Sequence, residues 1–553
     1  MDGEAFDYII VGAGSAGCVL ADRRTEDGRS SVLLLEYGGS DRSIFIQMPA
    51  ALSIPMNSKT YSWGYKTEPE PHLGGRRIAC PRGKVLGGSS SINGMVYVRG
   101  HPLDFERWEE EGARGWGYKN VLPYFRRAER FQGDADSYRG DVGPLTTAYG
   151  RKTNPLYDAF IEAGRQAGYA VSADLNGERQ EGFGPLGMTV KDGVRWSTAN
   201  AYLKPAMKRP NLEVITHALA TRIAFDGRRA VGVRYRRRGR EQTARARREV
   251  ILCGGPINSP QLLKLSGVGP AEELRSLGID VLADRPGVGE NLQDHLEFTF
   301  QVASKQPITL FSHIGLFRRA LIGAEWLMRG RGLGASNHFE AGGFIRSRAG
   351  VRYPDIQFHF LPMAVAYDGS SLANEHGFQA HAGPMRSKSR GWVRLRSADP
   401  ADPPRIQFNY MSHPEDWIEV RACVRLTREI FAQHAFDPYR GREIKPGADC
   451  VSDEAIDALV RDDIDTAYHP SCTCKMGSLA DPFAVVDPET RVIGVDALRV
   501  VDSSIMPSIT NGNLNAPTIM LAEKAADMIR GLDPLPASNA PYYVAPDWET
   551  KQR

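Results

Sequence analysis

FDYIIVGAGSAGCVLADRRTEDGRSSVLLLE, residues 6–36, decides the fold class of this chain. The stretch begins with an apolar strand, passes through a glycine-rich turn into a helical segment, and ends with a second apolar strand that closes on Glu36. This order is typical of a βαβ unit that binds a dinucleotide. Gly12 permits the tight turn, Gly14 lets the backbone approach a pyrophosphate, and Gly17 lets helix and strand pack closely. We therefore predict a Rossmann-type parallel sheet.

The same stretch limits which dinucleotide can bind. A helix is expected after the glycine turn, and its N-terminus favours an anion. Glu36, about 20 residues beyond the first glycines, is placed to accept hydrogen bonds from an adenosine ribose. A carboxylate there would repel a 2′-phosphate, so NADP is disfavoured. These residues alone leave NAD and FAD open.

Composition excludes several classes of protein. The chain has 553 residues, 42% of them hydrophobic and 24% charged, which is typical of a globular protein with more than one lobe. Its formal net charge of +3 is too small for a nucleic-acid binder, so we expect no nucleic-acid partner. The one basic run, RYRRRGR at residues 234–240, is predicted to be a solvated hairpin.

Seven cysteines scattered along the chain favour a reducing compartment over a disulfide framework. The N-terminus enters a strand pattern at once, without the features of a signal peptide. No apolar run approaches the roughly 20 residues that span a bilayer. We expect a cytoplasmic protein, whose contact with the inner face of a membrane would be peripheral.

The pattern of apolar, polar and turn-forming residues changes several times along the remaining chain. Short strands with DG and RG turns fill residues 212–255, and a helix is expected to begin after Pro260. Residues 300–465 favour an antiparallel sheet with helices, and residues 490–530 return to the first pattern. The prediction is an α/β protein with a discontinuous nucleotide domain at 1–155 (with a lid at about 45–75), 200–297 and 465–532, an inserted substrate domain at 156–199 and 298–464, and a tail at 533–553.

AYHPSCTCKMG, residues 467–477, places His469, Cys472 and Cys474 within a few positions. The spacing lacks a second ligand pair, so we predict no metal site. A Cys-x-Cys pair is also weak support for thiol redox chemistry, and both cysteines are predicted to be packing residues. Imidazole titrates near neutrality, so His469 is the best candidate for a general base.

Six ordered motifs carry a resemblance that covers the chain from end to end. They are the stretch to Glu36, RGKVLGGSSSINGMVYVRG (82–100), GGPINSPQLLKLSGVG (254–269), PGVGENLQDH (286–295), YHPSCTCKMG (468–477) and RVVDSSIMPSITNGNLNAPTIM (499–520). The chain resembles the glucose–methanol–choline oxidoreductases, FAD enzymes that oxidise alcohols. Runs outside these motifs, such as NHFEAGGFIRSR (337–348) and GPMRSKSRG (383–391), are most similar to the members that oxidise choline.

The resemblance implies an FAD domain and a substrate domain whose antiparallel sheet covers the flavin. It makes His469 the base and Asn513 its partner at the substrate oxygen. Ile92 stands where covalently flavinylated relatives have histidine, which implies non-covalent FAD. The implied FAD-binding residues are Gly12, Gly14, Ser15, Ala16, Gly17, Glu36, Arg82, Gly87, Gly88, Ser89, Asn93, Gly94, Met95, Val96, Ala220, Asp502, Asn513, Pro517 and Thr518.

For the substrate, the resemblance assigns Glu297 to a trimethylammonium group, with Trp63 and Tyr468 as aromatic walls. The expected reaction is oxidation of choline to betaine aldehyde and onward to betaine. Two alternatives stay open: oxidation of uncharged aliphatic, aromatic or polyether alcohols, and flavin binding without turnover. The electron acceptor, a respiratory quinone or oxygen, is not determined.

Overall fold

The computed structural model describes residues 5–366 and 375–553. Two seven-stranded sheets organise these residues. In the first, five strands run parallel and a two-stranded antiparallel hairpin extends one edge. The parallel strands are Leu212–Ile215, Val32–Leu35, Ala5–Val11, Arg240–Leu252 and Leu498–Val500, and the hairpin adds Arg229–Arg237 and Ala218–Asp226.

The first strand, Ala5–Val11, lies in the middle of this sheet because it is apolar on both faces. It pairs in parallel with Val32–Leu35 on one side and with Arg240–Leu252 on the other. A strand covered on both faces reads as a continuous apolar run. Helix Ser15–Thr25 covers one face and packs against the C-terminal helix Asn515–Arg530. The Rossmann-type prediction is thereby confirmed.

The basic run at 234–240 forms the predicted hairpin. Arg238 and Gly239 form its exposed turn, with φ of 50° and 75°. Positive φ at both central residues matches the twist of a two-residue hairpin. The charges therefore remain in solvent.

The helix expected after Pro260 begins earlier, at Gly255, and ends at Leu265. Pro260 has no N–H for the carbonyl of Pro256 four residues before it. The Thr473 hydroxyl donates to that carbonyl instead, at 2.7 Å. The prediction was wrong because a side chain from a distant segment replaces the missing bond.

The second sheet is antiparallel. Its main path is Arg440–Lys445, Leu296–Ser304, Gly377–Pro384, Ile356–Leu361, Ala341–Ile345 and Gly182–Pro185, and Asp465–Thr466 adds to Leu296–Ser304. Phenylalanines on one face pack with helices Pro155–Gln166 and Pro414–Phe431. Alternate positions turn a polar face, which includes Glu297, His359, Gln379 and His381, toward a cavity between the sheets.

Further helices surround the two sheets. The longer ones are Pro102–Glu110, Tyr118–Ala128, Ala271–Ser276, Leu316–Arg329 and Asp453–Asp463, and the short ones are Ile44–Gln47, Ser53–Met56 and Lys204–Ala206. Among the described residues, none of the helices has the length and apolar character that crossing a bilayer requires. The domain boundaries given above stay predictions.

Candidate active site

One cavity, of about 420 Å³, lies between the two sheets and collects most of the predicted site residues. Gly17, Gly87 and Pro517 do not line it. The predicted residues that do are Gly12, Gly14, Ser15, Ala16, Glu36, Trp63, Arg82, Gly88, Ser89, Asn93, Gly94, Met95, Val96, Ala220, Glu297, Tyr468, His469, Asp502, Asn513 and Thr518.

At the nucleotide end, glycines are required by close backbone contacts. Gly12 has φ of 103°, and a Cβ there would lie 2.5 Å from the Cys253 carbonyl oxygen. A Cβ on Gly17 would lie 1.9 Å from the Gly12 oxygen. At Gly14, by contrast, a Cβ would meet no protein atom closer than 3.9 Å. Contacts within the protein therefore do not require glycine at position 14. The open space next to Gly14 is suited to a pyrophosphate.

Glu36 closes the second parallel strand beneath this turn. Its carboxylate accepts from the backbone N–H of Ala13 at 2.9 Å and of Gly38 at 2.7 Å. Burial raises the pKa of Glu36 to about 7. Each carboxylate oxygen can accept a second hydrogen bond, so a ribose hydroxyl can still bind there.

Two helix N-termini meet at the cradle. The Ser15 hydroxyl donates to the Asn515 side-chain oxygen at 2.7 Å, which joins the starts of helices Ser15–Thr25 and Asn515–Arg530. Asp502 accepts from the Gly255 N–H at 2.9 Å and from the Ser259 hydroxyl at 2.6 Å. Helix starts that converge on one cavity favour an anionic ligand.

Arg195 supports the loop that forms the other wall, and sequence reasoning missed it. It is fully buried and donates to the Asn93 carbonyl at 2.6 Å and to the Ile46 carbonyl at 2.8 Å. Burial lowers the pKa of Arg195 to about 9. A guanidinium bonded to carbonyls of this loop fixes the backbone that carries Asn93.

At the opposite end, two segments pair and build the part of the cavity that contains His469. Glu297 pairs with Asp465 across antiparallel strands, and Gln293 pairs with Ser471. Asp294 lies between them, and its carboxylate accepts from the backbone N–H of His469 at 2.7 Å. This pairing brings His469 and Glu297 to the same cavity although 172 positions separate them along the chain.

His469 is held on both ring nitrogens. Nε2 lies 3.1 Å from the Asn513 amide nitrogen, and Nδ1 lies 3.1 Å from Nδ1 of His295. With Asn513 donating, Nε2 carries the lone pair and the proton resides on Nδ1. Burial, followed by His295, His359 and Arg82, holds the pKa of His469 well below its usual value. The ring is therefore neutral at physiological pH and can accept a proton.

Asn513 connects His469 to the second sheet. Its side-chain oxygen accepts from the Gln357 amide at 3.2 Å and lies 3.3 Å from Nε2 of His359. Both partners come from strand Ile356–Leu361. Asn513 is thereby fixed within hydrogen-bonding distance of Nε2 of His469.

Glu297 is 6% exposed and lies 2.7 Å from Nδ1 of His381. The backbone of Tyr468 has a φ of 64°, and its carbonyl oxygen accepts a hydrogen bond from Arg82 at 2.7 Å. A non-glycine residue held at positive φ stores strain, which is common next to functional groups. Glu297, Tyr468 and His469 all line the cavity.

Trp63 also lines the cavity, but its ring packs between two other aromatic rings. The Tyr37 ring is 5.1 Å away and the Tyr65 ring 5.6 Å away. Tyr37 follows Glu36, so Trp63 contacts the ribose side of the cavity. Its assignment to the substrate wall stays a prediction.

Cys472 and Cys474 are fully buried, as predicted for packing residues. Their backbone N–H groups bond to the carbonyls of Ser503 at 3.0 Å and Ser504 at 2.8 Å. Burial raises the pKa of Cys472 to about 12, so that thiol stays protonated. The segment around His469 is thereby anchored to the one that leads to Asn513.

Sequence reasoning missed several polar side chains at the reaction end: Asp294, His295, His359, Gln379 and His381. A signal existed in the strand IQFHFL, where polar residues alternate with apolar ones. That alternation predicts a strand with one polar and one apolar face. It does not show which groups the polar face contacts.

A glycine cradle for a dinucleotide, joined to a neutral histidine and an asparagine, defines a nucleotide-dependent oxidoreductase. Models of the GMC oxidoreductase family match residues 6–297 and 387–522. The chain belongs to the GMC oxidoreductases, which confirms the resemblance.

Relatives are similar over nearly the whole chain. The oxygen-dependent choline dehydrogenase of Brucella canis is 59% identical and covers 99% of this chain and 100% of its own. That of Photobacterium profundum is 58% identical over 99% and 97%. The formate oxidase of Aspergillus oryzae superimposes with a TM-score of 0.90 at 28% identity over 96% and 99% of the two chains. Pyridoxine 4-oxidase of Mesorbium loti gives 0.86 at 31% over 95% and 99%.

The geometry fits the FAD that serves this family. The open space before Gly14 suits the pyrophosphate, and Glu36 suits the ribose. The same cavity is lined by His469 and Asn513, so one elongated ligand can extend from the glycines to these two side chains.

Proposed function

We propose that the protein oxidises choline to betaine aldehyde, and the hydrated aldehyde to glycine betaine. The observation that carries the proposal is Glu297, a buried carboxylate in the same cavity as the base His469. A quaternary ammonium group donates no hydrogen bonds, so charge and aromatic faces must hold it. The relatives named choline dehydrogenases support the same substrate.

Each residue then has one task. Nε2 of His469 carries the ring's lone pair, and it accepts the substrate hydroxyl proton once the substrate oxygen takes the place of the Asn513 amide at that nitrogen. The Asn513 amide steadies the oxygen as charge develops on it. FAD, when bound here, supplies the acceptor for the hydride from the substrate carbon. The gem-diol of the hydrated aldehyde presents the same hydroxyl to the same base.

Anaerobic mixing tests turnover. Choline should bleach the visible absorbance of the bound flavin, whereas a protein that only binds flavin would keep its colour. Glu297→Gln separates choline from uncharged alcohols. It should raise KM for choline at least about tenfold and leave 3,3-dimethylbutanol, which has carbon in place of the ammonium nitrogen, little changed. Equal loss on both alcohols would favour the uncharged substrate class.

The binding mode of FAD and the electron acceptor are further parts of the proposal. Ile92 lines the cavity and offers no nucleophile, which supports non-covalent FAD. Acid precipitation should release all the flavin into the supernatant. The relatives' description as oxygen-dependent supports oxygen, directly or through a quinone. Admission of air to the reduced protein, compared with addition of a soluble quinone, distinguishes the two.

We also propose peripheral contact with an anionic membrane surface. Helix Leu316–Arg329 exposes Leu316 at 86%, Phe317 at 75% and Met328 at 76%. Its exposed arginines include Arg318 and Arg319. An apolar stripe bordered by arginine suits the interface of anionic lipids.

Flotation with vesicles tests this contact. The protein should float with vesicles that contain phosphatidylglycerol and stay behind with pure phosphatidylcholine. Phe317→Glu should abolish flotation, whereas Val142→Glu, at a side chain that is 75% exposed elsewhere, should not. Equal flotation of the two variants would refute the assignment to this helix.

A further inference from the structure

Glu297 belongs to a chain of buried hydrogen bonds on the polar face of the second sheet. His381 approaches its Oε1 through Nδ1 at 2.7 Å. The other ring nitrogen of His381, Nε2, lies 2.7 Å from the Gln379 amide nitrogen. The three side chains are 6%, 5% and 0% exposed. The histidine contact alone allows either a neutral ring or an imidazolium beside Glu297.

The amide orientation of Gln379 decides between these states. Its Oε1 receives the backbone N–H of Val365 at 2.9 Å and the Gln301 amide at 2.7 Å. A backbone N–H can only donate, so the atom that meets it must be the oxygen. The NH₂ group of Gln379 therefore faces His381.

An amide NH₂ group only donates, so Nε2 of His381 must carry a lone pair. The ring proton then lies on Nδ1 and is donated to Glu297. An imidazolium would place two donors against each other at 2.7 Å. Gln379 thereby excludes the charged form of His381, and the charge of Glu297 is not cancelled.

We propose that Gln379 determines substrate charge specificity as a positioning residue. It keeps His381 neutral, so Glu297 presents its full negative charge to a cationic alcohol. This proposal rests on the proposed oxidation of choline.

Other titratable groups face the pair from neighbouring elements. His359 lies opposite His381 on the adjacent strand. Asp465 pairs with Glu297, and its pKa is raised to about 6, chiefly by burial. Tyr468 lies three residues after Asp465, and the charge of Glu297 also acts on its hydroxyl. These groups remain in every variant at Gln379, so a comparison between variants isolates the amide.

Gln379→Glu is the decisive substitution. The glutamate keeps an oxygen for Val365 and turns an acceptor toward His381, which then becomes an imidazolium beside Glu297. The added carboxylate also carries a charge, but the imidazolium lies between it and Glu297 and is hydrogen-bonded to Glu297 directly. KM for choline should therefore rise about fivefold, while that for 3,3-dimethylbutanol stays within about twofold.

Gln407→Glu is the matched control, because it adds a carboxylate at a buried glutamine whose amide bonds to the Pro69 carbonyl. Its choline KM should stay within about twofold of the native value. A Gln379→Glu protein that retains flavin and shows no choline-selective increase overturns the proposal. Glu297→Gln, run in parallel, separates this failure from failure of the choline assignment.

His381→Asn tests the same point if Gln379→Glu does not fold. Asparagine keeps an N–H near Glu297 and cannot carry charge. If native His381 is neutral, removing the ring gives no tighter binding of choline. A fivefold or larger fall in choline KM would show that the native ring is charged and would overturn the proposal.

Discussion

At the nucleotide end of the cavity the glycine turn and Glu36 come from the continuous stretch 6–36, whereas the reaction end, around His469, collects all its side chains from separated segments. Those segments are 294–297, 357–359, 379–381, 465–469 and residue 513. The first end depends on local backbone shape and the second on strand pairing. Changes at the first should therefore affect retention of FAD, and changes at the second should affect turnover or substrate choice.

The largest effect is expected at Gly17. Gly17→Ala places a Cβ 1.9 Å from the Gly12 oxygen, so helix Ser15–Thr25 must move away from the turn. We expect loss of bound FAD and a lower melting temperature, measured by flavin absorbance and thermal unfolding. Retention of FAD at native affinity would contradict the account of the turn.

His469→Ala should lower kcat by about 10²-fold or more, because no other group would hold the substrate proton in the same place. The flavin content should remain native, since His469 belongs to the reaction end. Rapid anaerobic reduction by choline measures the effect. A native rate of reduction would refute the assignment of the base.

Asp294→Asn tests the support of the base. Asp294 accepts from the His469 N–H and, through its other oxygen, from Tyr410 at 2.6 Å and from Thr466. An amide can accept on one side only, so a buried group loses its partner, at a cost of about 1–3 kcal/mol. We expect kcat to fall about tenfold with KM nearly unchanged. A selective rise in KM would place Asp294 in substrate binding instead.

Ser15→Ala gives the smallest expected effect. It removes the bond between Ser15 and Asn515 that joins two helix starts. A neutral hydrogen bond contributes about 1 kcal/mol, so the Kd for FAD should rise about fivefold. Titration of the FAD-free protein measures it, and kcat with saturating FAD should be native. A lower kcat would show that the two ends are not separable at this helix.

The success of sequence reasoning differs between the ends for a physical reason. Gly12 and Glu36 could be assigned because their spacing within one βαβ unit fixes their geometry. His469 and Asn513 were found through residue type and resemblance, and both line the cavity. Arg195 gave no local signal because its partners, Ile46 and Asn93, are carbonyls about 100 or more positions away.

The sequence by itself determined the parallel sheet, the glycine cradle, the family and the identity of the candidate base, because each depends on short-range spacing or on motifs in order. The tertiary structure decided the protonation of the reaction end. Asn513 determines which ring nitrogen of His469 is unprotonated, and Gln379 determines which ring nitrogen of His381 carries the proton. The position of a ring proton depends on which donors and acceptors the strands bring together. The residue pattern of one strand does not specify which side chains the neighbouring strands place beside it.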